Sequence, residues 1–100
     1  LRQRHAGHLH LVFHTVVWQY LPAAAKARGA GLFALAGAIA TPEAPLARLA
    51  MEGDGDPGGA RLTLELWPDG RQLDLGRCDF HGRWVDWRNP WPSTARAANL

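Results

Sequence analysis

A chain of 100 residues carries at most one small domain, and folding at this size removes only about 60–70% of the surface that the unfolded chain exposes. With 47% hydrophobic and 20% charged residues, the composition excludes an intrinsically disordered segment. The net charge of +2 and pI near 9.3 come from Arg spread among Asp and Glu, without a like-charge block, so solvated mixed faces are expected and a nucleic-acid track is not.

Residues 1–7 are polar and read as a frayed end. The first strand spans about residues 8–14, where Leu9, Leu11, Val12 and Phe13 place apolar side chains on both sides of the pleat. That pattern belongs to a strand covered on both faces, as in a parallel sheet flanked by helices. Pro22 suits a first helical turn, because the N–H it lacks would have no partner there. The helix is predicted over 22–39, with Leu32, Leu35 and Ile39 at three-and-four spacing as its buried stripe. Gly29, Gly31 and Gly37 each cost about 1 kcal/mol against Ala inside a helix, so a break near 29–31 is an open alternative.

Leu46 to Met51 reads as a second strand, and strand, helix, strand implies parallel pairing. Gly53 to Gly59, GDGDPGG, is too short for another crossover helix, so the third strand is expected to run antiparallel. In it Leu62, Leu64 and Leu66 alternate with Arg61, Thr63 and Glu65, which leaves one side wet. Pro68, Asp69 and Gly70 make a turn, and Gln72 to Cys78 returns with Leu73 and Leu75 inward. Cys78 is the single cysteine, which excludes an intrachain disulfide and reads as a small core filler. A last short strand covers roughly Arg83 to Trp87, and residues 88–100 read as a loosely docked tail. The whole, 1–100, is expected to be a single α/β domain in which a β-α-β unit precedes an antiparallel β-meander.

This path brings the carboxyl ends of the first, second and fourth strands to one edge, where open α/β sheets bind ligands. His14, Glu52, Asp79 and His81 are expected to gather there, walled by Trp18 and Tyr20. A histidine beside a carboxylate is poised to move protons, so His14, Glu52 and His81 are candidate catalytic residues. Trp18, Gln19, Tyr20 and Asp79 are candidate substrate contacts. Each also has a structural alternative: His14 as a cap on the following turn, Glu52 as an acceptor for loop amides, His81 as part of a His-Gly turn.

Other patterns fail on context. His8 and His10 share a strand face, but His14 lies four residues further at about 3.3 Å each, too far for one ion, so no metal site is expected. Asp54 and Asp56 lack the regular oxygen ligands of a calcium loop. Gly53, Gly55 and Gly58 satisfy G-x-G-x-x-G but lead into a strand and enclose Pro57, so no helix N-terminus faces a phosphate. No apolar run approaches the ~18 residues of a membrane helix, residues 1–7 do not read as a signal sequence, and the expected setting is soluble and cytoplasmic. Position 1 is Leu and not an initiator Met, which suggests part of a longer chain.

The segments HTVVWQYLP (14–22), PLARLAMEGDG (45–55), LTLELWPDG (62–70) and DFHGRWVDW (79–87) together resemble the carboxyl-terminal part of the bacterial domain-of-unknown-function 2332 family. Members are longer, and this portion of them is similar to the Rossmann-type methyltransferase fold. The resemblance implies a methyltransferase-like protein, with His14 to Tyr20 in a loop that faces substrate and S-adenosylmethionine as the possible cofactor. The Gly-rich loop and acidic residue that hold the cofactor in such folds are absent from these residues. The alternative is a non-catalytic interaction module that uses Trp67, Trp84, Trp87 and Trp91 and an open sheet edge, which would also favour self-association.

Overall fold

A strand, a helix of crossover length and a second strand bury their apolar sides most simply with the two strands adjacent and parallel. The computed structural model, which describes residues 5–89, has this arrangement. β1 (His10–Thr15) leads through a 3₁₀ turn at Trp18–Tyr20 into α1 (Ala23–Ala38) and then β2 (Leu46–Glu52). β3 (Ala60–Trp67), β4 (Arg71–Cys78) and β5 (Val85–Trp87) follow. The strands form one open five-stranded sheet in the order β1-β2-β3-β4-β5, with β1 and β2 parallel and every later pair antiparallel. The described residues are therefore α/β, with α1 between the first two strands of a mixed, unclosed sheet.

Residues 1–4 and 90–100, most of the ends expected to be loose, lie outside the described residues. Just inside them the backbone is tied down: the Gly7 amide donates to the Glu43 carbonyl at 2.7 Å, and the Arg88 amide to the Leu75 carbonyl at 2.8 Å.

Pro22 sits at the N-cap, one residue before the helix, and its carbonyl accepts the Lys26 amide at 2.9 Å. The helix then runs without a break through Gly29 and Gly31. The buried stripe is not the expected one. Phe33, Ala36, Gly37 and Ala40 face the sheet, while Leu32, Leu35 and Ile39 point outward, with Leu35 67% exposed. The reason is close approach to two tryptophans. Trp18 lies against Gly29 and Trp67 against Gly37, so tightly that a Cβ at either glycine would overlap the indole. Small residues on either side of Phe33 admit these rings, whereas a leucine stripe would hold the helix away from the sheet. Phe33 stacks on Trp67 with ring centroids 6.1 Å apart, and Leu46, Val12 and Trp18 complete this cluster.

Residues paired across neighbouring strands share a face of the sheet. The register therefore groups His10, Val12, His14, Leu46, Arg48, Glu65 and Trp67 on the helix side. Leu11, Phe13, Leu49, Met51, Leu62, Leu64 and Leu66 lie on the other. Coverage of β1 on both faces, expected from its apolar run, is not found among the described residues: Phe13 is 69% exposed, because α1 packs on the opposite side. The leucines of β3 likewise lie away from the helix, and its polar residues share the helix side. A β-bulge shifts the β3–β4 register between Leu62 and Thr63, and beside it Leu75 is buried while Leu73 is half-buried.

Candidate functional site

Parallel pairing brings the ends of β1 and β2 side by side, with Thr15 opposite Met51, so the loop after β1 starts next to Glu52. The Val16 amide donates to the Met51 carbonyl at 2.7 Å, and Val16 adopts φ of +49°. A β-branched residue in the left-handed region stores roughly 1–3 kcal/mol of strain, which the surrounding contacts must offset. Glu52 provides them. One of its oxygens accepts the amides of Val17 and Trp18, each at 3.0 Å, and the other accepts Nδ1–H of His14 at 2.5 Å.

His14 is engaged at both ring nitrogens. Arg48 Nε donates to His14 Nε2 at 3.0 Å, so Nε2 supplies a lone pair and the proton sits on Nδ1, facing Glu52. The imidazole also stacks on Trp18, with centroids 5.4 Å apart. The Arg48 guanidinium lies between the Trp18 and Phe33 rings, 4.4 Å from each centroid, and reaches Glu65 at 3.3 Å. A continuous polar chain, Glu52–His14–Arg48–Glu65, thus crosses β1, β2 and β3 beside the helix. Gln19 fastens the far side of the loop, its Oε1 accepting the Gly53 amide at 2.8 Å. Tyr20 points away and is 74% exposed.

Of the residues expected at this edge, the structure thus brings together His14, Glu52, Trp18 and Gln19. Asp79 and His81 do lie past the carboxyl end of β4, on the same edge, but β4 is three strands from β1, about 14 Å at the usual strand spacing. There the buried Asp79 carboxylate caps its own turn. It accepts the amides of His81 and Arg83, each at 3.1 Å, and the Arg83 side chain at 2.9 Å. The Arg83 hydrogen bond, helped by those amides, outweighs burial and holds the Asp79 carboxyl well below the usual carboxylate range. His81 contributes its backbone to this turn and exposes its side chain.

Sequence reasoning missed Arg48 and Glu65. The available signal was a lone arginine in the middle of the apolar run Leu46-Ala47-Arg48-Leu49-Ala50, at a position facing the helix. Asp54, weighed as half of a cation pair, instead receives Arg61 and Arg77. Burial by itself would raise its carboxyl, but the Asp56 amide and the two guanidinium groups reverse that and lower it. Among the described residues no group of three His, Cys, Asp or Glu is placed to hold a metal ion.

The tryptophans do not form one surface. Trp67 is packed against α1, Trp84 lies over Gly59, Trp87 is exposed on β5, and Trp91 falls outside the described residues.

Fold and geometry define an α/β domain whose parallel strand pair closes on a bonded Glu–His–Arg cluster at its carboxyl edge. A family model described as an uncharacterized protein conserved in bacteria (DUF2332) matches residues 1–87. The chain belongs to that family. No curated protein and no solved structure matches it. No described helix is long and apolar enough to cross a membrane.

Proposed function

We propose that this chain forms the substrate side of a methyltransferase-like α/β enzyme of the cytoplasm, with the loop at 16–20 facing the substrate. The reading is supported above all by Glu52, whose carboxylate joins both parallel strands to that loop. Such bracing holds a strained segment at the edge of the sheet where ligands of α/β folds bind. His14 and Glu52 then act as positioning residues, since each already spends its polar atoms on neighbours. Tyr20 presents its phenol outward and is the side chain of this loop best placed to meet a substrate. Asp79 and His81 belong to a separate turn and take no part in this reading.

S-adenosylmethionine would supply an electrophilic methyl group, and methyl transfer depends chiefly on aligning nucleophile and donor. The described residues do not fit that cofactor's usual cradle, because no Gly-rich turn leads from a strand into a helix N-terminus. No residue here is therefore assigned to the cofactor. Isothermal titration of the full-length protein with S-adenosylmethionine tests the reading: binding is expected, and its absence at millimolar ligand removes the methyltransferase assignment.

A further inference from the structure

The sheet face turned away from α1 is apolar across all five strands. By register it presents Leu11 and Phe13 on β1, Leu49 and Met51 on β2, the leucines of β3, and Val85 and Trp87 on β5. Thr15 and Arg71 are the polar residues that the register places on this face among β1 to β4, both at strand ends. The outermost side chains are the most open: Phe13 is 69% exposed at one rim, and Val85 and Trp87 are each 59% exposed at the other. Monomers rarely leave a contiguous apolar surface of this kind to water.

We propose that this face is the interface between two copies of the chain, stacked sheet on sheet. Five strands at about 4.8 Å, averaging about six residues at about 3.3 Å, give a footprint of about 500 Å² per copy. Two such faces remove at least about 1,000 Å² from water, the size at which specific association becomes stable. The lack of charge over the middle of the face means that self-pairing brings no like charges together. A two-fold axis running along the strands lays β1 of one copy over β5 of the other. By register Trp87 is level with Thr15, so Phe13 then lies about 7 Å along the strands from the partner's Trp87, within reach of two large rings, and the two-fold repeats this contact at the other rim. Twisted sheets pack in this aligned manner about 10 Å apart. The inference uses the opposite face from the methyltransferase reading, and it departs from a doubly wound sheet in placing a second copy there instead of further helices of the same chain.

Sedimentation equilibrium of the full-length protein, with Phe13→Glu, Trp87→Glu and Leu35→Glu variants, provides the test. Wild type is expected at twice the monomer mass. Phe13→Glu and Trp87→Glu are expected to be monomeric with unchanged circular dichroism, as both side chains are exposed within one copy. Leu35→Glu, on the outer ridge of α1, is expected to stay dimeric. A monomeric wild type would overturn the proposal. So would a dimer that survives a folded Phe13→Glu or Trp87→Glu variant.

Discussion

Glu52 stands 2.5 Å from His14, one carboxylate oxygen on the imidazole and the other on the amides of Val17 and Trp18. A single side chain at the end of β2 therefore fixes the end of β1 and the loop beyond it. Glu52→Ala would leave three donors without an acceptor in a half-buried setting, and a loss of about 2–3 kcal/mol is expected. Glu52→Gln keeps one carbonyl oxygen for the loop amides and is expected to lose about 1 kcal/mol. Urea denaturation of the two variants against wild type checks both values.

Arg48 is held by ring faces on two sides and by hydrogen bonds at its edge. Lysine keeps the charge but has neither the planar group that fills the gap nor an Nε donor for His14. Arg48→Lys is expected to destabilise the fold by about 1–2 kcal/mol, in line with a desolvated cation–π contact. If the same denaturation experiment shows no loss, the sandwich carries no weight.

Glycine-to-alanine changes in α1 are expected to have opposite signs. At Gly31 a Cβ meets open space, so Gly31→Ala should stabilise by up to about 1 kcal/mol through helix propensity. At Gly37 the same Cβ overlaps the Trp67 indole, so Gly37→Ala should destabilise despite that gain in propensity. Thermal melts of both variants read the sign directly.

Acid should weaken the turn after β4. The Asp79 carboxyl is held below its unfolded value chiefly by Arg83, so its contribution to stability is complete above the ordinary carboxylate range. It declines as pH falls toward the depressed folded value. Asp79→Asn removes this linkage. Wild type is expected to lose more melting temperature than the variant between pH 7 and pH 3, and equal losses would contradict the assignment.

The outline of this fold was legible from its punctuation. Pro22, the glycine-rich loop at 53–59 and the turn at 68–70 mark where elements end, and the length of the segment between the first two strands requires a crossover. Strand direction then follows, and with it the meeting of His14 and Glu52 at one edge. Order within the sheet was harder to read. Direction alone puts Asp79 and His81 on the right edge, and only the sequential order of strands moves them away from His14.

The buried stripe of α1 was misread because hydrophobic periodicity rewards large residues, and here the sheet offers large ones itself. Trp18 and Trp67 fill the space between helix and strands, so apart from Phe33 the helix contributes small residues and turns its leucines outward. The sequence by itself determined which segments extend, which coil and which way each strand runs, since these depend on local sterics and on chain length between elements. Only the tertiary structure decided which face of each element is covered and which polar atoms meet, because both depend on the sizes of side chains distant in sequence that share one volume.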